Sequence, residues 1–182
     1  MKLLSIVIIT LLTTANLAFG QNQQTSDTIT WSEEYRLTWM DFRGEPLEFT
    51  GLGAEATCFL FASYSRPTAF SKVKCKVNAV FDRSKSWVSP KAKNELALTW
   101  FGLMFDLYEL HARKLRKDFS ETKFPTDPDP LFQQKYNNAM TNLTNEFNEL
   151  RKQTKMGTDS EALKYWKDKI SKTLDELSVF SE

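Results

Sequence analysis

Residues 99–117 read TWFGLMFDLYELHARKLRK, and the fold follows from how that stretch is read. Between Leu96 and Leu107 almost every residue is apolar, with no polar face at helical spacing. A helix that is hydrophobic on all sides is buried on all sides, so this segment predicts a central helix with a sheet on one flank and later helices on another. From Asp106 onward the character changes: Glu109, Arg113 and Lys117 recur at helical spacing and predict a charged half emerging into water. Glu109 and Arg113, four apart, can form an ion pair worth roughly 0.2–0.5 kcal/mol.

Upstream of this helix the periodicity is two. Ile29 to Trp39 alternates apolar and polar residues, as does Lys72 to Asp82, where Val73, Cys75, Val77, Ala79 and Phe81 share one face. Ala54 to Tyr64 reads as a partner strand, joined to it by a turn around Arg66-Pro67. The chain is expected to become helical from Ser86, with Ser89 as N-cap and Pro90 in the first turn. That helix is expected to run to about Phe119. Downstream, Phe132, Tyr136, Ala139, Met140, Leu143, Phe147 and Leu150 form one helical stripe, and Leu163, Trp166, Ile170, Leu174 and Leu177 another. Thr158-Asp-Ser-Glu161 has the form of a capping box opening the last helix. The predicted class is α+β: a small antiparallel sheet in the N-terminal half, packed against about three helices in the C-terminal half.

Residues 1–20 carry a different signal. Lys2 precedes the apolar run Leu3 to Leu12, and Ala18-Phe19-Gly20 offers small residues at a cleavage site, the layout of a secretory signal peptide. The alternative, an uncleaved anchor, has an apolar run short of the ~20 residues that a span needs. Residues 21–27 are polar and expected to be disordered, leaving 28–182 as one domain, periplasmic or secreted, with no membrane span after cleavage. With 24 basic against 23 acidic residues, no charge excess points to nucleic acid. The 14 Phe, 5 Trp and 5 Tyr fit an aromatic core better than a carbohydrate platform. Cys58 and Cys75 could face one another across the hairpin. An oxidising compartment would permit a disulfide, and two buried thiols are the alternative. His111 is the single histidine, so a His-rich catalytic zinc site cannot be assembled.

Three stretches together resemble a known family: Leu37-Thr-Trp-Met-Asp-Phe-Arg-Gly-Glu-Pro46, Ser86-Trp87-Val88, and Phe105 through Lys117. Their order and spacing are similar to those of exported bacterial proteins of unknown function thought to be zinc-dependent peptidases. In that family the central helix reads H-E-x-x-H-F-D, followed by E-x-x-A-R-K-L-R-K. Two His four apart can share one Zn²⁺, and the Glu between them can activate a metal-bound water. Here Phe105, Asp106 and the basic tail match, but Trp100, Phe101 and Met104 stand at the positions of the first His, the Glu and the second His. The family's third ligand, in T-x-H-G-x-N, corresponds to Met156 within Thr154-Lys-Met-Gly-Thr-Asp159.

The resemblance therefore implies a peptidase-like domain whose metal and catalytic positions are lost and filled as core, with no cofactor. Such a protein would act by binding, with a peptide or a cell-envelope protein as partner, along the old cleft between sheet and central helix. The competing expectation is a metal-free hydrolase using Asp41, Glu55, Asp106 or Glu109 with His111, which requires two of these groups to converge on one cleft.

Overall fold

The computed structural model describes residues 27–46, 53–68 and 71–181. The signal-peptide segment and residues 21–26 lie outside these. Three strands, β1 (Thr28–Thr30), β2 (Ala54–Ser65) and β3 (Lys74–Val88), form an antiparallel sheet in the order β1-β3-β2. Three helices follow: α1 (Glu95–Glu121), α2 (Asp129–Gln153) and α3 (Ser160–Glu176). The class is α+β, as the periodicities require. None of the described helices is long and apolar enough to cross a membrane.

β3 is the central strand, and Val77, Ala79 and Phe81 turn inward onto α1. It runs through Ser86 to Val88, opposite Glu55 and Ala54, where the sequence predicts a helix to begin. Ser86 belongs to the strand because its hydroxyl, fully buried, donates to the Asp82 carbonyl and accepts from Thr57 N–H. Ser89-Pro90 opens only a short 3-10 turn, Pro90–Ala92. The true cap of α1 is Asn94, whose side chain accepts from Ala97 N–H at 2.9 Å. Likewise α3 is capped by Asp159, which accepts from Ala162 N–H.

β1 is far shorter than the alternation from Ile29 to Trp39 predicts. Trp31 N–H still donates to the Ala79 carbonyl at 3.0 Å, and beyond it the chain leaves the sheet toward α1, where the Trp31 indole N–H donates to Asp106 Oδ1 at 2.8 Å. Asp27, expected in a disordered N-terminus, instead accepts a backbone hydrogen bond from Arg83.

The cysteines do not meet. The last rung of the β2–β3 hairpin is Ser65–Lys74, so the connection is centred beyond Arg66-Pro67. Cys58 therefore lies opposite Phe81 and Cys75 opposite Tyr64. Both thiols are free, and burial pushes both upward in pKa, Cys75 to about 11.

α1 takes the sheet on one side and α2 and α3 on others, and α3 reaches α2 through Trp166 on Gln153 and Lys169 on Glu146. Of the predicted α3 stripe, Leu163, Trp166, Ile170 and Leu174 are buried, each side chain worth roughly 1.5–3 kcal/mol over exposure, while Leu177 is the C-cap residue and only half-buried.

Candidate functional site

The three motif segments meet in space. Asp41 accepts from Thr38 N–H, the Tyr35 hydroxyl and Arg83, which folds the first segment into a tight turn. Burial works to raise the Asp41 pKa, but these donors together hold it below its ordinary value. Gly44 then donates to the Ser86 carbonyl at 2.8 Å, so the first segment is tied to the second. A side chain at Gly44 would meet the Ser84 carbonyl oxygen at 2.7 Å. Trp39 and Phe42 from the first segment pack against Phe101 of α1, with Phe42 in turn on Phe81. The space between sheet and α1, expected to be a cleft, is thus filled by rings.

Trp100, Phe101 and Met104 are all buried, and Trp100 and Phe101 face different layers. Trp100 stacks near Phe147 of α2, 6.2 Å between centroids, and lies against the α2–α3 turn at Gly157. That turn is a run of left-handed backbone at Lys155, Met156 and Gly157. It is fixed by Met156 N–H on the Arg151 carbonyl and by the buried Thr154, whose hydroxyl donates to the Leu150 carbonyl. The segment bearing the third-ligand position therefore does come to Trp100. Met156 itself is 57% exposed, which corrects the expectation that it fills a core.

Trp and Phe carry no zinc ligand, and a thioether is a poor one. Among the described residues no group of three or more His, Cys, Asp or Glu side chains could hold a metal ion. The side chains at these positions do not fit a zinc centre.

The alternative carboxylates are committed to separate partners. Glu55 accepts from the Trp87 indole, and Asp106 from that of Trp31. Glu109, expected at the surface, is buried and binds both Arg113 and Arg116. Arg113, also buried, donates further to the Leu174 carbonyl and to Glu33 while the Trp31 ring covers its guanidinium. The charged half of α1 is thus roofed by the segment after β1. Two short openings flank that roof. One, of about 290 Å³, holds Gly102 and Asp106 with Arg36 and Lys167, so α1 is not covered on every side. The other holds Glu109 and Arg113. Burial raises the Asp106 pKa above its ordinary value.

His111 is buried. Its Nε2 lies 2.9 Å from Glu146 of α2, which also binds Lys114 and Lys169. The hydrogen bond from His111 is the main cause that draws the Glu146 pKa down to about 2. Above this cluster, the divergence of α2 and α3 leaves a groove of about 660 Å³, lined by Asn138, Asn142, Glu149, Tyr165 and Trp166 among others. Sequence reasoning missed both Glu146 and the groove, since nothing in either helix alone shows that they diverge. No protein-family model matches the chain, and no curated protein or solved structure is significantly similar to it.

Proposed function

We propose that this chain is an exported, non-catalytic relative of the zinc-peptidase-like family whose motifs it resembles. It acts in the periplasm or outside the cell as a binding or scaffold domain for a peptide or a cell-envelope protein. The observation that carries the proposal is the state of the central turn of α1. Trp100 occupies the space between α1, Phe147 and Gly157, and Phe101 that between α1, Trp39 and Phe42. On this reading the rings take up the volume that a metal, its water and a substrate carbonyl would need. Asp41, Gly44 and Asp106 of the surrounding frame, with Arg113, Lys114 and Arg116 of the basic tail, are at the same time held by partners.

The test is metal analysis of protein produced with export, alongside the combined variant Trp100→His, Phe101→Glu, Met104→His and Met156→His. The native chain is expected to carry no stoichiometric zinc, and the variant to gain it. Tight zinc or chelator-sensitive proteolysis in the native chain overturns the proposal. A variant that folds and gains no zinc overturns the mapping of the site.

A further inference from the structure

Gly102 lies within α1, where glycine weakens a helix unless a close neighbour or an unusual backbone angle requires it. Neither applies. A β-carbon at 102 would have no atom within 4 Å, and its φ is not a positive one. What the glycine provides is room. It opens onto the cavity of about 290 Å³ between α1, the segment after β1, and Lys167 of α3. By helical spacing this is the side of α1 turned away from Trp100 and Met104.

The cavity is walled by Leu37, Leu98 and Leu103 and carries charges of both signs. Asp106 accepts from the Trp31 indole through Oδ1, and its Oδ2 has no hydrogen-bond partner among the described residues. A carboxylate can accept about four hydrogen bonds, so this half-buried one is far from satisfied. Arg36 is held through Nη1 on the Glu33 and Tyr35 carbonyls at 2.7 and 3.0 Å. Its Nε and Nη2 have no partner among the described residues. Lys167, on α3, has no hydrogen bond or ion pair among them either. Both cations lie within electrostatic reach of Asp106, yet neither closes on it. One small cavity thus holds a carboxylate and two cations that do not neutralise one another by contact.

We infer that this cavity is a site for a small zwitterion with an apolar tail, of which a free α-amino acid such as L-leucine is the simplest case. Its ammonium donates to Asp106, its carboxylate accepts from Arg36 and Lys167, and its side chain takes the room over Gly102 against Leu98 and Leu103. Other charge types fit less well. An anion would meet Asp106 and Glu95, and a cation would meet Arg36 and Lys167. A purely apolar guest would strip water from Asp106 and return no hydrogen bond. A zwitterion makes charge-assisted hydrogen bonds at both ends, each roughly twice as strong as a neutral one. The volume lies at the lower end of ligand cavities, which begin at roughly 300 Å³, so the guest is one amino acid rather than a peptide chain.

This site involves neither zinc nor cleavage, and its test is separate from that of the vacated peptidase centre. The probe is L-leucine added to the native chain at pH 7, followed through the backbone amide signals of Gly102, Leu103 and Asp106. N-acetyl-L-leucine lacks the ammonium and L-leucinamide lacks the carboxylate, and each should bind about tenfold or more weakly. Asp106→Asn should weaken L-leucine about tenfold and leave N-acetyl-L-leucine unchanged. Lys167→Gln should weaken L-leucine several-fold and leave L-leucinamide unchanged. Gly102→Leu fills the cavity with a residue that a helix interior prefers, so binding should be lost while the fold persists. Lys167 is exposed, so its variant keeps the proposal testable if either of the others fails to fold. Absence of saturable shifts with L-leucine up to about 10 mM, tenfold above a millimolar Kd, overturns the proposal. Equal affinity for L-leucine and either control overturns it, since the cavity would then read one charge or none. Binding that survives Gly102→Leu puts the guest elsewhere and overturns it as well.

Discussion

Gly157 lies so close to Trp100 that a β-carbon at position 157 would stand 2.7 Å from both Cβ and Cγ of the indole. Its φ of +84° is also one that residues with side chains rarely adopt. Gly157→Ala is therefore expected to destabilise the protein by about 2–4 kcal/mol, the sum of a strained backbone and an overpacked core. Trp100→Ala should cost about 3–5 kcal/mol by opening a cavity. In the double variant the alanine at 157 has room, so its cost should fall to the backbone part alone. Urea unfolding of the four proteins checks this, and strict additivity would show that the two side chains are not in contact.

Asp106 is half-buried under Trp31, whose indole N–H donates to it, and burial raises its pKa. A carboxyl whose folded pKa is raised stabilises the fold when protonated. That contribution is present below the unfolded pKa and is lost as pH rises through the folded one. Asp106→Asn keeps an acceptor for the indole and removes the charge. It should stabilise the protein at pH 7 by roughly 0.5–1.5 kcal/mol, and the gain should vanish in acid. A loss of stability at pH 7 would mean that the negative charge, drawn by Arg36 and Lys167, is worth more than its desolvation costs.

These two sites show what one sequence makes legible. The burial of Trp100 to Leu107 follows from the absence of a polar face, and the stripe of α3 from its spacing. That Glu109 and Arg113 are buried does not, because their cover comes from Glu33 and Trp31, distant in sequence. The thiol pairing failed for a related reason. Alternation fixes which face a strand residue takes, but register depends on where the hairpin turns, and a turn assigned to Arg66-Pro67 shifts every rung. The placement of Met156 beside Trp100 but facing outward depends on a left-handed turn that includes two non-glycine residues, which propensity disfavours.

Glu146 gathers His111, Lys114 and Lys169 from two neighbouring helices. With His111 as the main cause, its pKa falls from an ordinary 4.5 to about 2. A depressed carboxylate contributes stability that is complete above the unfolded pKa and is lost as pH falls through the folded one. Its contribution should thus be on the order of 2–3 kcal/mol at pH 7, fading between pH 4.5 and about 2. The difference in unfolding free energy between the native chain and Glu146→Gln, measured across that range, should shrink along the same curve. A difference that does not vary with pH would assign the effect to packing rather than to charge.

Asn78 sits on the outward face of the central strand, 9% exposed, on the rung of Phe61. Its side-chain oxygen is buried and has no hydrogen-bond partner among the described residues. An unpaired buried carbonyl sacrifices its hydration without return, at about 1–3 kcal/mol. Valine suits the same pleated position and carries no polar atom. Asn78→Val should therefore raise the unfolding free energy by about 1 kcal/mol, read as a higher urea midpoint with an unchanged slope. Asn78→Asp places a charge in the same enclosure and should lower it by more than the valine raises it. A valine variant less stable than the native chain would show that the carboxamide is satisfied in solution, by water or by a bound group that reaches the sheet from outside.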